Sequence, residues 1–524
     1  MSWTGWFLFI LLVQVIHFLG TWKLYKKAGR QAWEAAVPIF NAVILMKIIN
    51  RPWWWTILLF IPIVNLIMFP VIWVETIRSF GKNSATDTFL VLVTLGLYIY
   101  SINYTQDVHH IKERSLKPRT SAGEWVSSIL FAIVAATIVH TYFIQPFTIP
   151  TSSLEKTLLV GDFLFVSKYH YGARAPMTPL SFPMVHDTIP VLGVKSYIKE
   201  PQIPYFRFPG FQEIERNDIV VFSWPVDTLV DITPPGRGVA HKPLDKKSNY
   251  VKRAVGIPGD SLEIRDGYVF INGERNELPD RARLQFGYAF AVDKPINPQF
   301  ISERYGITDL YPLNNNYTVF QAHMTDAAFE QFKRYPGLDT IFKTTAEKGA
   351  SSKSFFPHEA RYPWNTDHFG PIFIPKEGAT VRIDTESIPF YKRIIEEYEG
   401  SEIGIDNSIT QEGNQVFLNG EPITSYTFKQ NYYWMMGDNR NNSQDARMWG
   451  FVPFTHVVGK PVFIWMSWDA NAKGLANKIR WDRVFTTVGG SGEPVSYFKY
   501  FLVALIAWFA FDFFRKRKKG KTRK

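Results

Sequence analysis

Two short segments of the sequence carry side chains that could take part in catalysis. Ser152 and Ser153 lie in the segment QPFTIPTSSLEKTLLVGD, directly after an apolar run, and Lys252 lies in the β-type run NYVKRAVG. If Lys252 points inward, burial disfavours its charged form and lowers its pKa, so the neutral amine could serve as a general base. Adjacent serines are also common in caps and turns, and a strand lysine usually faces solvent. The residues alone therefore leave both interpretations open.

A third segment, MMGDNRNNSQDARMWGFVP, contains closely spaced acidic, amide and basic side chains. A solvated Asn/Asp turn is the ordinary explanation of such a segment. Its spacing is loosely similar to a calcium loop but lacks the central glycine and the terminal glutamate. The chain has no cysteine, which excludes disulfides, thiolate metal sites and thiol nucleophiles. We therefore expect neither a metal ion nor a cofactor.

Long apolar runs indicate a membrane protein, because a helix needs about 20 mostly apolar residues to cross the hydrocarbon layer. The first run lacks a basic start and a clear cleavage site, so a retained helix is favoured over a signal peptide. The last run is weaker, because it contains Lys499 and Asp512. About five transmembrane helices are predicted, in Met1–Trp22, Pro52–Val74, Thr88–Gln106, Trp125–Phe147 and Tyr497–Phe514.

Basic residues predict the orientation of these runs. The loops after the first run and before the fourth are rich in Lys and Arg. Eight of the last ten residues are also Lys or Arg. Since basic flanks are retained in the cytoplasm, these parts are expected inside, with an outside N-terminus and an inside C-terminus. The loop with Arg78 and Lys82, and the segment from 146 to 495, then lie outside. The net charge of +11 is thus attributed to membrane flanks rather than to nucleic-acid binding.

The segment after Pro146 has the pattern of an antiparallel, mostly β domain. Short β-branched and aromatic runs alternate with Gly, Pro, Asn and Asp, as in Asp218–Phe222 and Gly267–Glu274. Asn272-Gly273 and Asn419-Gly420 are hairpin signals. Helical periodicity is scarce in this part of the chain.

The serine, lysine and Asn/Asp segments together resemble the conserved boxes of type I signal peptidases. That family has IP-small-x-S-M-x-P-T-L-x-x-G-D just beyond a transmembrane helix, then R-G-D-I-V-V-F, Y-[IV]-K-R-[VA]-[VI]-G-x-P-G-D and G-D-N-R-x-x-S-x-D-S-R-x-x-G. The corresponding stretches, in the same order, are 149–162, 216–222, 250–260 and 437–450. The chain departs from the pattern at Leu154, Lys156, Asn217 and Ala446, and none of these changes removes a group that the chemistry requires.

The resemblance implies a role for each matched residue. Ser153 is the expected nucleophile and Lys252 its general base, with Ser443 orienting the lysine amine. The Ser153 N–H and the Thr151 hydroxyl are expected to form the oxyanion hole. Supporting ion pairs are expected between Arg253 and Asp438 and between Asp445 and Arg447.

The implied protein is a serine endopeptidase that removes signal peptides from exported proteins at the outer face of the plasma membrane. Its expected partners are preproteins with small residues before the cleavage site and the lipid bilayer, and contact with export machinery is left open. The expected fold is membrane-anchored and mainly β with a large insertion. The predicted parts are a three-span module (1–120), a transmembrane helix (121–147), the catalytic domain (148–278 and 411–495), an insertion lobe (279–410) and a C-terminal helix with a basic tail (496–524).

Three other functions deserve comparison with this one. An assembly module that had lost activity need not have kept Ser153, Lys252 and Ser443. A transport component is not favoured, because the apolar runs contain almost no ionisable residues. Another Ser/Lys enzyme, such as a self-cleaving repressor, would lack the apolar runs and the fourth box.

The sequence assigns no role to the three-span module or to the insertion. In the three-span module a Pro/Asn pattern recurs, at Pro38 and Asn41 and at Pro62 and Asn65.

Overall fold

The computed structural model describes residues 3–118, 120–228, 240–474 and 476–521. The chain forms two compact units. The first consists of Met1–Phe143, Ala173–Phe208 and Lys242–Lys246, and the second of Ile144–Gly172, Pro209–His241 and Lys247–Lys524.

The first unit is helical. Its core is apolar and includes Tyr25, Met46 and Ile102. A π-helical turn, Val139–Phe143, extends its last helix. The helices are α1 (Trp3–Lys27), α2 (Phe40–Ile48), α3 (Trp55–Leu58), α4 (Val64–Ser79), α5 (Ala85–Val93), α6 (Tyr98–Tyr104) and α7 (Ser121–Ile138), with a 3-10 turn at Ala32–Ala35.

The apolar helices fit a membrane-anchored protein, but five spans are not shown. Among the described residues, Thr4–Lys27 and Ser121–Phe143 are long and apolar enough to cross a membrane. α5 and α6, which meet at a bend of 117°, pass the same test of length and composition only if they count as one span. The fifth predicted run forms a helix that contains Lys499, Asp512 and Arg515.

The second predicted span is wrong, because the two ends of its apolar run lie together. Arg51 precedes the run and Glu75 follows it, and their side chains form an ion pair of 2.9 Å. Glu75 also pairs with Arg114, which was predicted on the opposite side of the membrane from it. A run that crossed the hydrocarbon would separate its ends by about 30 Å. Residues 52–74 therefore turn back on themselves.

The turn-back points coincide with strained backbone. The second and third runs break at Ile63 (φ 69°) and at Leu95 (φ 49°), and α2 begins after Ile39 (φ 66°). Positive φ is unfavourable for residues with a Cβ and most of all for β-branched ones, so these positions must be held by their surroundings. The Pro/Asn pattern seen in the sequence marks two of them, since Ile39 and Ile63 each follow the proline and precede a helix.

A segment that is remote in sequence joins the first unit. Within residues 173–208, the backbone oxygen of Gln202 accepts a hydrogen bond from Trp6 Nε1 at 2.9 Å. The ring of Phe208 packs edge-on against that of Tyr142, with centroids 5.7 Å apart. The N-terminal end of α1 and the π-helical turn that follows α7 thus both contact residues 173–208.

The second unit is mainly β, as predicted. Both Asn-Gly pairs form the hairpin turns expected of them, with positive φ at both residues of each pair. The elements are β1 (Ile144–Thr148), β2 (Asp162–Ser167), β3 (Ile219–Ser223), β4 (Asn249–Gly256), β5 (Ser261–Arg265), β6 (Tyr268–Ile271), β7 (Glu274–Arg275), β8 (Phe286–Val292), α8 (Pro298–Tyr305), β9 (Asp309–Pro312), β10 (Val319–Met324), α9 (Asp326–Phe332), β11 (Leu338–Lys343), β12 (Phe369–Phe373), β13 (Thr380–Arg382), α10 (Ile388–Arg393), β14 (Ile409–Glu412), β15 (Gln415–Leu418), β16 (Glu421–Ile423), β17 (Ser425–Thr427), β18 (Tyr432–Met436), α11 (Ala446–Trp449), β19 (Val452–Pro453), β20 (Val457–Ser467), β21 (Thr486–Thr487) and α12 (Phe498–Lys521).

One large antiparallel sheet positions the candidate catalytic segments. Its strand order is β1-β2-β20-β3-β4-β18-β19, with β21 added to β20. β4 lies between β3 and β18, and Lys252 pairs with Val220. The C-terminal half of β4 is buried, so both of its faces are covered. The sheet therefore brings the lysine segment next to the end of β18, where the Asn/Asp segment begins.

The region predicted as an insertion has two parts. Residues 286–343 form a four-stranded sheet of order β11-β8-β10-β9, with α8 and α9 and a core of their own. Further along, β12 pairs with β5 and β13 with β17, so residues 369–382 extend the neighbouring hairpins. The predicted basic tail begins within α12, and its last three residues, 522–524, lie outside the described residues.

Candidate active site

The candidate nucleophile lies in a tight turn directly after β1. We call residues 151–157 the serine turn, and its 3-10 helix covers Ser152–Leu154. Hydrogen bonds of 2.9 Å from the Ile149 N–H to the Asp162 oxygen and from the Gly161 N–H to the Ile149 oxygen fasten the turn to the start of β2. Leu154 is buried in the core below. The turn therefore holds Ser153 in place, with only 8% of its surface exposed.

Lys252 reaches Ser153 from β4. Its amine donates a hydrogen bond to Ser153 Oγ at 2.5 Å, and the lysine is 5% exposed. Burial lowers the pKa of Lys252 to about 8, although the carboxylate of Asp445 acts in the opposite direction. The contact has the geometry of a nucleophile with its base, and the lowered pKa makes a neutral amine accessible near neutral pH.

The segment after β18 closes the site from the other side. The Asn439 N–H donates to the backbone oxygen of Ser153 at 3.1 Å. A Cβ at Gly437 would lie 2.3 Å from Ser443 Oγ and 2.5 Å from the Ser153 oxygen, so only glycine fits there. Ser443 Oγ is buried against Gly437 and makes no hydrogen bond with any described residue. The structure thus brings Ser443 to the site without the bond to Lys252 that the resemblance implies.

Thr151 stands at the entrance to the serine turn. Its side chain is exposed and does not cap the turn. The hydroxyl is therefore available to a bound substrate.

Two buried ion pairs lie beneath the site. Arg253 binds Asp438 through Nε at 2.7 Å and Nη2 at 2.6 Å, and Arg447 binds Asp445 through two contacts of 2.8 Å. Burial alone would raise the pKa of Asp438, but the Arg253 guanidinium outweighs it and holds that pKa below its usual range. The Thr157 hydroxyl also donates to Asp438 at 2.6 Å, which connects this pair to the serine turn.

Comparison with known proteins assigns the chain to a family. A family model described as signal peptidase, peptidase S26, matches residues 122–300 and 374–468, about half of the chain. The chain belongs to this family. It is therefore a serine peptidase, which is a hydrolase. The resemblance seen in the sequence is confirmed.

Three relatives named Signal peptidase I illustrate the similarity. The protein of Haemophilus influenzae is 24% identical over 72% of this chain and 79% of its own length. That of Rickettsia felis is 25% identical over 72% of this chain and 96% of its own length. That of Buchnera aphidicola subsp. Acyrthosiphon pisum is 23% identical over 72% of this chain and 85% of its own length. Residues 33–113 match a different model, described only as a family of unknown function.

One departure from the peptidase pattern has a structural reason. Lys156 replaces the proline of the family box and has a φ of 70°. Proline is fixed near −65°, so the serine turn of this chain could not accommodate it without refolding. Burial lowers the pKa of Lys156, while the carboxylate of the neighbouring Glu155 opposes that shift.

Several residues around the serine turn were not predicted from the sequence. Asn439 Nδ2 donates to the Ser152 oxygen at 3.1 Å, and Asn442 Nδ2 donates to Ser152 Oγ at 3.0 Å. Both amides also donate to Asp309, which comes from β9. Asn439 and Asn442 lie in the fourth box, but Asp309 is 129 residues before Asp438 and no sequence signal connects it to the site. Among the described residues, no cluster of His, Asp and Glu could hold a metal ion.

Proposed function

We propose that this chain is a signal peptidase that removes N-terminal signal peptides from exported proteins at the outer face of the plasma membrane, with Ser153 as nucleophile and Lys252 as general base. The observation that carries the proposal is the 2.5 Å hydrogen bond between these two buried groups. The family to which the chain belongs, and the relatives named Signal peptidase I, support signal peptides as the substrate class.

The proposed reaction is acyl transfer in two steps. Neutral Lys252 takes the proton of Ser153 Oγ as that oxygen attacks the scissile carbonyl carbon, and the lysine then protonates the leaving amine. Water hydrolyses the resulting ester, with Lys252 again acting as the base. The Ser153 N–H and the Thr151 hydroxyl stabilise the oxyanion. Ser443, whose buried Oγ makes no hydrogen bond with any described residue, orients the lysine amine by forming a hydrogen bond with it during the reaction. The pairs Arg253–Asp438 and Arg447–Asp445 hold these groups in place.

The proposed substrate is an extended peptide that leaves the bilayer. β1 lies at the edge of the large sheet and leads directly into the serine turn. An added peptide strand could pair with such an edge and present alternate side chains to shallow pockets. The small residues expected before the scissile bond fit this arrangement.

Membranes that contain the protein should convert a model preprotein into its mature form. Mass spectrometry of the product should place the new N-terminus after a small residue at the end of the signal peptide. A matched preprotein with tryptophan before the scissile bond serves as the control and should remain uncut. Cleavage of both preproteins at unrelated sites, or of neither, would contradict the proposed function.

The pH dependence should report the proposed base. Since Lys252 must be neutral to accept the serine proton, kcat/KM should rise with pH through an apparent pKa of about 8 and then level off. The rate rises with pH because the active form is the neutral amine of Lys252. Burial disfavours the ammonium form, so the neutral amine is populated at a lower pH than in an exposed lysine. A rate that follows a group near 10.4, the ordinary value of lysine, would count against a buried base.

For topology, we propose three spans, α1, α7 and α12, with residues 28–106 entering and leaving the membrane on the inner side. Arg51 and Glu75 support this for the second apolar run, because they join its ends. The third run is flanked by Ser79 and Ile111, and the Ile111 N–H donates to the Ser79 oxygen at 2.9 Å. Three spans differ from five by an even number, so the predicted orientation of both chain ends is unchanged. The catalytic domain is outside and the C-terminus is inside.

Cysteine labelling separates three spans from five, because the natural chain has no cysteine. With three spans, Lys82→Cys lies inside and should react with a membrane-impermeant maleimide only after intact spheroplasts are opened. Lys199→Cys, in the segment that contacts the N-terminal end of α1, is the matched control and should react at once. Labelling of Lys82→Cys in intact spheroplasts would restore five spans. Protection of Lys199→Cys would invert the orientation.

A further inference from the structure

Asp309 connects the insertion to the serine turn. Its Oδ2 accepts hydrogen bonds from Asn439 Nδ2 at 2.7 Å and from Asn442 Nδ2 at 3.1 Å. His323 Nδ1, from the neighbouring strand β10, lies 3.4 Å from the same oxygen. Burial opposes ionisation of Asp309, but hydrogen bonds from His323, Asn442 and Asn439 outweigh it and keep its pKa below the usual range. The acceptor is therefore a carboxylate.

The carboxylate fixes which way the two amides point. Each Asn side chain has two N–H donors and one oxygen acceptor. One N–H of each amide is directed at Asp309, and its nitrogen also donates to Ser152: Asn439 to the backbone oxygen and Asn442 to Oγ. If the Asn439 amide turned over, its oxygen would face an acceptor on both sides, the Asp309 carboxylate and the Ser152 carbonyl. If the Asn442 amide turned over, its oxygen would face the Asp309 carboxylate, although the Ser152 hydroxyl could still donate to it. Asp309 thus favours the orientation in which both amides donate hydrogen bonds to Ser152.

A backbone contact, independent of Asp309, also joins the insertion to the segment around Asn439. Gln285, just before β8, forms a parallel bridge with Asn439. The Gln285 N–H donates to the Asp438 oxygen, and the Arg440 N–H donates to the Gln285 oxygen, both at 2.9 Å. Gln285 is fully buried. The residues around Asn439 are therefore held by the insertion through main chain and side chain together.

We propose that Asp309 is a positioning residue for the peptidase reaction, acting through Asn439 and Asn442 on the serine turn. The inference rests on the proposed function, because the turn matters for catalysis only if Ser153 is the nucleophile. It assigns the first part of the insertion, residues 286–343, a task in aligning the catalytic serine. Since a displacement of about 1 Å in a reacting group can lower a rate about 100-fold, small shifts of the turn are sufficient.

Graded substitutions of Asp309 test the proposal in the full-length membrane protein. Asp309→Ala leaves both amides without their acceptor and should lower kcat about 10- to 100-fold with KM nearly unchanged. Asp309→Asn keeps an acceptor oxygen of the same size without the charge and should recover most of the loss. Asp339→Ala, at an exposed aspartate of the same lobe, is the matched control and should behave as wild type. A wild-type kcat in Asp309→Ala, or a loss confined to KM, would overturn the proposal.

Hydrogen exchange gives a readout that does not depend on activity. In Asp309→Ala, peptides that cover residues 149–160 should exchange about 10-fold faster, while those from β20 keep their protection. Unchanged exchange in the serine turn would overturn the inference. If Asp309→Ala does not fold, Asn442→Ala removes a single link and should give a smaller change of the same kind. Failure of the wild type to cut the preprotein, with exchange changed as expected, would reject the proposed function and leave the positioning contact standing.

Discussion

Replacement of Lys252 by alanine should lower kcat for preprotein cleavage by at least about 10⁴-fold, because a nucleophile and base that act as a unit fail when either is removed. The lysine is buried and donates to Ser153 Oγ, and its pKa of about 8 allows it to accept a proton near neutral pH. Lys252→Arg should not restore activity, since a guanidinium stays protonated at every accessible pH. Single-turnover cleavage of a labelled preprotein measures the effect.

The control for this substitution is Lys376→Ala, which removes an exposed lysine of the same unit. It should leave the rate unchanged. Both variants should be inserted and folded to the same extent as wild type. If Lys252→Ala retained a rate within about tenfold of wild type, another group would have to be the base.

Replacement of Asp438 by alanine should destabilise the second unit by about 3–5 kcal/mol, because it leaves the Arg253 guanidinium buried without its partner. Asp438 is completely buried and binds Arg253 through both oxygens. It also accepts a hydrogen bond from Thr157, so the serine turn should loosen as well. Urea unfolding of the purified protein in detergent measures the free energy.

Asp406→Ala, at an exposed site of the same unit, provides the matched control and should change stability by less than about 0.5 kcal/mol. Arg253→Met combined with Asp438→Leu should be less destabilising than Asp438→Ala alone, because no buried charge remains. A loss below about 1 kcal/mol in Asp438→Ala would show that water reaches Arg253 and that the pair is not a buried support.

The β architecture could be predicted because its signals are local. Short runs rich in β-branched and aromatic residues, such as β3, and the two Asn-Gly turns specify strands and hairpins without reference to distant parts of the chain. The direction in which Lys252 points could not be predicted in the same way. The second half of β4 is buried on both faces, so alternation does not separate inside from outside, and only the order of the four family boxes indicated its role.

The number of spans could not be predicted from apolar length. Residues 52–74 are long enough to cross, but the Arg51–Glu75 pair brings their ends together, and such a contact leaves no mark on local hydropathy. The recurrent Pro38-Ile39 and Pro62-Ile63 pairs were the available signal, since both isoleucines have positive φ at helix starts. Asp309 could not be predicted for the same reason, because only its tertiary hydrogen bonds with Asn439 and Asn442 connect it to the serine turn.

The central claim is that Ser153, and not its neighbour, attacks the preprotein. The most direct test compares cleavage of one model preprotein by wild type, Ser153→Ala and Ser152→Ala in the same membranes. Ser153→Ala should leave no cleavage above background, and Ser152→Ala should retain most of the activity, because Asn439 still binds the backbone oxygen of residue 152. An active Ser153→Ala protein, or an inactive Ser152→Ala protein beside it, would contradict the account.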